Sequence, residues 1–130
     1  MKKILSVLLV LVFVSGLGFG IYVSDYYSAD EYAIQVLNDK EVEIIEKENQ
    51  LVFVPKNPIA GFIFYPGGKV EETAYAPLLL SFAEQGYEVY LVKMPAKLAI
   101  FGMNAAEDIM EEAAHIEEWT MMGHSLGGAM

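Results

Sequence analysis

The residues best suited to chemistry are gathered in Gly123-His124-Ser125-Leu126-Gly127-Gly128, a serine set between glycines. Gly-x-Ser-x-Gly spacing suits a sharp strand-to-helix turn that lifts a serine hydroxyl clear of a sheet. The serine of such a turn takes φ > 0, so the residues two positions to either side must be small. Gly123 and Gly127 meet that demand, and Gly128 and Ala129 let the ensuing helix approach the strand. The chemistry is nucleophilic attack by Ser125. It requires a base, an acid that orients the base, and N–H donors for a developing oxyanion.

His124 adjoins Ser125, yet neighbouring side chains in a tight turn diverge, and a base must reach the serine Oγ at ~2.6–3.2 Å. His124 is therefore expected to pack or hydrogen-bond at the mouth of the site. His115, at a helix end amid glutamates, reads as a surface residue favoured by the helix dipole. Met121 and Met122 read as core residues of a strand, and Trp119 as the anchor of its start. A second glycine-bearing element, Tyr65-Pro66-Gly67-Gly68-Lys69-Val70, follows an apolar run. The Gly-x4-Gly-Lys-Ser/Thr pattern of a phosphate-cradling loop is missing there. Lys69 and Lys93 are positioned to attract an anionic substrate, though isolated lysines of this kind are expected to be solvated.

The elements that must position these residues follow from punctuation and periodicity. Ser28-Ala29-Asp30-Glu31 reads as a capping box opening a short helix to about Leu37, broken by Asn38-Asp39-Lys40. Strands are predicted over Glu41–Glu46 and Leu51–Val54, joined as a hairpin through Glu48-Asn49-Gln50. Ile59–Tyr65, bounded by Asn57-Pro58 and Pro66-Gly67-Gly68, suits a strand buried on both faces. A helix is predicted from about Ala74 to Gln85 with Gly86 as its cap, then a strand over Tyr87–Val92. A helix from about Asn104 to His115 and a short strand over Trp119–Met122 lead into the serine turn. The order is a hairpin followed by parallel β-α-β-α-β, an α/β class with helices on both faces of the sheet.

Before these elements, Lys2-Lys3 precede an apolar run from Ile4 to Val23. Twenty helical residues span ~30 Å, the thickness of a bilayer core. Lysines before the run and Asp25 and Asp30 after it favour an N-terminus inside and the remainder outside, with Tyr22, Tyr26 and Tyr27 at the far headgroups. The competing expectation is a cleaved signal peptide, with Gly16-Leu17-Gly18 or Gly18-Phe19-Gly20 supplying the small residues, and secretion as the outcome. Gly16 and Gly20 also form a Gly-x-x-x-Gly pair able to pack helices together. The expected organisation is an anchor over 1–24, a short helical connector over 25–40, and a truncated α/β domain over 41–130.

Composition narrows the function classes. The 130 residues carry a net charge of −10, with eight lysines and no arginine, which argues against nucleic acid as a partner. Cysteine is absent, excluding disulfides, thiolate catalysis and cysteine-ligated metals. Glu111-Glu112 and Glu117-Glu118 read as solvated faces.

With the glycine loop and the serine turn both placed, the chain resembles the α/β-hydrolase superfamily. Within it, the closest resemblance is to the bacterial dienelactone-hydrolase-like group, the α/β-hydrolase fold-5 domain. The resemblance is carried by Phe64-Tyr65-Pro66-Gly67-Gly68-Lys69-Val70, Tyr75-Ala76-Pro77-Leu78, Gly86-Tyr87, Val92-Lys93-Met94-Pro95 and Gly123 through Met130, over about residues 60–130. It implies a serine hydrolase of esters or related acyl bonds, working on a small-molecule substrate without cofactor or metal. Ser125 would be the nucleophile, and the N–H groups of Leu126 and Gly68, with Lys69 as the alternative to Gly68, would be the oxyanion donors.

The family's acid and histidine follow the turn, where this sequence holds nothing. The 130 residues by themselves are therefore expected to be inactive, an N-terminal portion with an uncovered, apolar sheet edge. A non-catalytic, membrane-tethered binding module is the alternative, and it would be indifferent to replacement of Ser125. A third possibility is that another chain supplies the missing strands.

Overall fold

Strand β3 (Ala60–Tyr65) has its residues from Gly61 to Tyr65 buried, as its apolar run between proline and glycine breaks predicts. The computed structural model describes residues 1–39 and 41–130. Lys40, placed by the sequence in the break after the second helix, lies outside the described residues. β3 pairs in parallel on one side with β4 (Tyr87–Val92) and on the other with β5 (Trp119–Gly123). The hairpin of β1 (Glu43–Glu46) and β2 (Gln50–Val54) joins through an antiparallel β2–β4 pairing, giving the order β1-β2-β4-β3-β5.

Two-residue alternation sorts the strand side chains into two apolar layers. Phe53, Phe62, Phe64, Val89 and Leu91 face one side, where helix α3 (Ala76–Glu84) covers them with Leu79 and Ala83. Val36 and Leu37, at the end of helix α2 (Glu31–Val36), pack against the same layer. Val52, Ile63, Tyr65, Tyr90 and Val92 face the other side, under Ile109 and Ala106 of helix α4 (Ala105–Glu112). Each fully buried Phe or Leu contributes roughly 1.5–3 kcal/mol.

Several boundaries differ from the sequence expectation. Asp30, not Ser28, caps α2, its carboxylate accepting from the Ala33 N–H at 2.7 Å. The helix expected from Ala74 is a 3₁₀ turn over Glu72–Tyr75, and α-geometry begins at Ala76, with Pro77 in the first turn, where its missing N–H costs nothing. Gly86 lies one residue past the cap of α3 with φ +99°, a conformation glycine adopts without strain. After the serine the chain forms a 3₁₀ turn, Ser125–Ala129, in place of an α-helix.

The N-terminal helix α1 (Lys2–Ser24) buries none of its residues and is long and apolar enough to cross a membrane. Met121 and Met122, expected in the core, are exposed. The reason is topological: among the described residues β5 pairs only with β3 and lies at the end of the sheet. Trp119, in contrast, packs as expected, its ring lying against Gly61, where an added Cβ would come within 2.5 Å of it.

Candidate active site

The site forms where β3 and β5 end side by side. Their register aligns Tyr65 with Gly123, and the pairing continues as the His124 N–H donates to the Tyr65 carbonyl at 3.1 Å. The chain then turns sharply. Ser125 has φ +50°, the left-handed region that costs a non-glycine residue about 1–2 kcal/mol. A Cβ on Gly123 would sit 2.5 Å from the backbone of Gly127 and Gly128. One on Gly127 would run into the carbonyls of Tyr65 and Pro66. These glycines are therefore demanded by backbone-to-backbone approach, and the strained serine is held exposed at the top of the turn.

The loop after β3 meets this turn. A Cβ on Gly68 would lie 3.1 Å from the Leu126 side chain, so the two chain segments are in contact. The first hydrogen bond of the 3₁₀ turn is Gly127 N–H to His124 carbonyl at 2.9 Å, which leaves the Leu126 N–H ahead of it. Among the described residues, the N–H groups of Leu126 and Gly68 have no acceptor. Lys69 differs: its N–H donates to the Lys97 carbonyl at 2.8 Å.

Tyr75 is the residue that sequence reasoning missed. Its hydroxyl accepts from the Gly67 N–H at 3.0 Å and lies 2.8 Å from His124 Nδ1. Its ring also packs against Phe64, 4.8 Å between centroids. One phenol thus ties the glycine loop to the residue before the serine, and Gly67 leaves room for it. The signal was present, since Tyr75 falls within a segment that carries the family resemblance, but the predicted helix absorbed it. His124 hydrogen-bonds at the mouth of the site, as its adjacency to Ser125 suggested.

Tyr65 supports the floor of the site. Its hydroxyl donates to the Met103 carbonyl and accepts from the Ala106 N–H, both at 2.9 Å, fixing the entry to α4. Burial pushes this phenol's pKa up. Neither imidazole bonds to Ser125: His124 Nδ1 is engaged by Tyr75, and His115 Nε2 lies 3.1 Å from buried Glu88. His115 is exposed, as expected of a surface residue, and its imidazole also has a carboxylate partner in Glu88.

A model of the alpha/beta hydrolase family matches residues 61–130, from β3 through the serine turn and over more than half of the chain. The chain belongs to the alpha/beta hydrolase family. No curated protein and no solved structure matches it.

In this alpha/beta hydrolase a cavity of about 940 Å³ lies between the β1–β2 turn and the stretch from Ile100 to Glu112, and Ser125 does not line it. The charged groups Lys47, Glu48, Lys93, Asp108, Glu111 and Glu112 line it. It is an open groove in the surface, apart from the serine turn. The two lysines singled out in the sequence are both engaged. Lys93 Nζ lies 2.7 Å from Glu46 and 3.0 Å from the Lys47 carbonyl, bracing the hairpin. Lys69 Nζ lies 3.4 Å from Asp25 and 4.3 Å from the centre of the Tyr22 ring.

Proposed function

We propose that the chain carries the nucleophile and oxyanion donors of a serine hydrolase that cleaves an ester or related acyl bond through an acyl-enzyme on Ser125. The observation that carries this assignment is the +50° φ of Ser125 between Gly123 and Gly127, with Gly68 brought against Leu126. A strained serine in that setting has its hydroxyl presented and its backbone held by groups that cannot move aside.

In the proposed reaction Ser125 Oγ adds to the acyl carbon and passes its proton to a histidine, which the family places after the serine turn. The carbonyl oxygen becomes an oxyanion that accepts from the N–H groups of Leu126 and Gly68. Gly68 is favoured over Lys69 because the Lys69 N–H already has an acceptor. Each donor is worth ~3 kcal/mol to the transition state. Collapse expels the alcohol, which takes the proton from the histidine, and water then hydrolyses the ester formed on Ser125. Tyr75 and His124 position the loop and the turn and take no part in proton transfer.

The proposal further assigns α1 as a membrane anchor through residues 4–23, with Lys2-Lys3 inside and the hydrolase domain outside. Support comes from its length of 23 residues and its apolar composition. Labelling of the full-length protein with a fluorophosphonate tests the chemistry. Labelling is expected in the wild type and lost in Ser125→Ala; labelling that survives the substitution removes Ser125 from the role. Protease accessibility of the domain in intact cells, compared with lysed cells, tests the orientation.

A further inference from the structure

The chain that leaves α1 does not swing free of the hydrolase domain. Tyr27 forms a parallel bridge with Val70, its N–H donating to the Lys69 carbonyl and its carbonyl accepting from the Glu71 N–H, both at 2.8 Å. The Ala29 N–H donates to the Glu71 carboxylate at 2.8 Å. Lys69 and Lys97 place their ammonium groups over the rings of Tyr22 and Tyr26, at 4.3 and 4.5 Å from the centroids. The segment after the apolar helix is thus fastened to residues 69–71, which directly follow Gly68.

A second contact reaches deeper. Phe19 and Phe101 meet edge to face, with centroids 6.3 Å apart. Phe19 is five residues before the end of α1, about 7 Å at 1.5 Å per residue. If α1 lies in a bilayer, Phe101 is at or below the headgroup level with it. Ile100, Phe101 and Met103 are all about half exposed, an apolar patch continuous with the end of the helix. Three residues before Phe101, Leu98 lies beside Gly68, within 3.6 Å of where a Cβ would stand. The patch and the candidate oxyanion loop are therefore neighbours in one corner of the fold.

We infer that this corner is seated in the lipid surface, with Ile100, Phe101 and Met103 in the acyl–headgroup boundary, and that the site takes an amphiphilic long-chain ester from the bilayer. The occupant of the apolar patch is lipid because the patch is continuous with the face of a helix of membrane-spanning length. Tyr22 and Tyr26, with Lys69 and Lys97 over their rings, follow Phe19 at the end of the helix, where amphipathic side chains favour the headgroup interface. The choice of substrate rests on the Ser125 assignment; the lipid contact does not.

The experiment separates the two. In the full-length protein, Phe101→Trp is combined with Trp119→Phe, and the protein is reconstituted in phosphatidylcholine vesicles with brominated acyl chains. The introduced indole is expected to emit at shorter wavelength and to be quenched by the bromolipid. Emission that ignores the bromolipid and is quenched by aqueous iodide overturns the lipid contact.

The companion measurement compares kcat/KM for a fluorogenic long-chain ester embedded in vesicles with that for p-nitrophenyl acetate in solution. In Phe101→Ser the ratio of the two is expected to fall about tenfold, the loss expected when one phenylalanine no longer buries its ring in lipid. Ile100→Ser, at an equally exposed position, should lower the same ratio. An unchanged ratio in both variants overturns the lipid-ester assignment. If the wild type cleaves neither ester and Ser125 takes no label, the hydrolase assignment fails and the substrate inference with it, while quenching still decides the lipid contact.

Discussion

The Tyr75 hydroxyl stands 2.8 Å from His124 Nδ1 and 3.0 Å from the Gly67 nitrogen. The link spans 49 residues of sequence and closes the gap between the loop bearing Gly68 and the turn bearing Ser125. The phenol oxygen accepts from the Gly67 N–H and shares a second hydrogen bond with the imidazole nitrogen.

Tyr75→Phe should remove both bonds while keeping the ring against Phe64. The Gly67 N–H, buried with its residue, would lose its acceptor, and stability should fall by about 1–3 kcal/mol in urea unfolding of the full-length protein. Gly67→Ala should perturb the same link sterically, because the added Cβ would lie 2.7 Å from His124 Nδ1. An unfolding midpoint unchanged in both variants would show that the link contributes nothing.

At the serine, strain and function oppose each other. Ser125→Gly should be more stable than Ser125→Ala by about 1 kcal/mol, because glycine accepts the +50° φ that alanine does not. Both should lose fluorophosphonate labelling. Thermal unfolding of the two variants side by side makes the comparison, and equal midpoints would mean the turn is unstrained.

Alkaline pH should destabilise the fold. Burial pushes the Tyr90 phenol up, reinforced by its hydrogen bond to the buried Glu88 carboxylate, and burial also raises Tyr65. In the unfolded chain both titrate near about pH 10. Below that pH both states hold the protons and stability is constant; above it the unfolded chain releases them first, so stability falls as pH rises. Urea midpoints measured from about pH 8 to about pH 11 should decline, and Tyr90→Phe should flatten the decline. A slope that Tyr90→Phe leaves untouched would remove that phenol from the account.

The free side of β5 should make the 130-residue chain prone to self-association. Met121 is 53 % exposed and Met122 43 %, on a strand that among the described residues pairs only with β3. Unpaired edge strands with apolar side chains template further pairing. Met121→Lys should lower light scattering of the concentrated chain in detergent, and equal scattering in the two would point to another surface.

Much of this was legible one segment at a time. Tyr87–Val92 is a strand over the residues that its flanking breaks mark, and the hairpin of β1 and β2 forms where Glu48-Asn49-Gln50 suggests a turn. The glycines at 123 and 127 were readable because backbone approach admits no other side chain. Met121 and Met122 were misread because an apolar strand looks the same whether it is central or at the edge. Tyr75 was overlooked because its partner His124 lies 49 residues further along the chain.

The sequence by itself determined the local chemistry: a serine held between glycines, a glycine loop after an apolar strand, and an apolar helix of membrane-spanning length. These depend on sterics and on side-chain periodicity, which are properties of neighbours along the chain. Only the tertiary structure decided which groups meet. It set Gly68 against Leu126, gave the Lys69 N–H to Lys97, joined Tyr75 to His124, and fastened Tyr27 and Phe19 to the same corner. The contacts of Gly68 with Leu126 and of Tyr75 with His124 follow from parallel pairing of β3 with β5, which brings strand ends 58 residues apart into register, Tyr65 beside Gly123. Such pairing joins segments far apart along the chain, and no single segment encodes it.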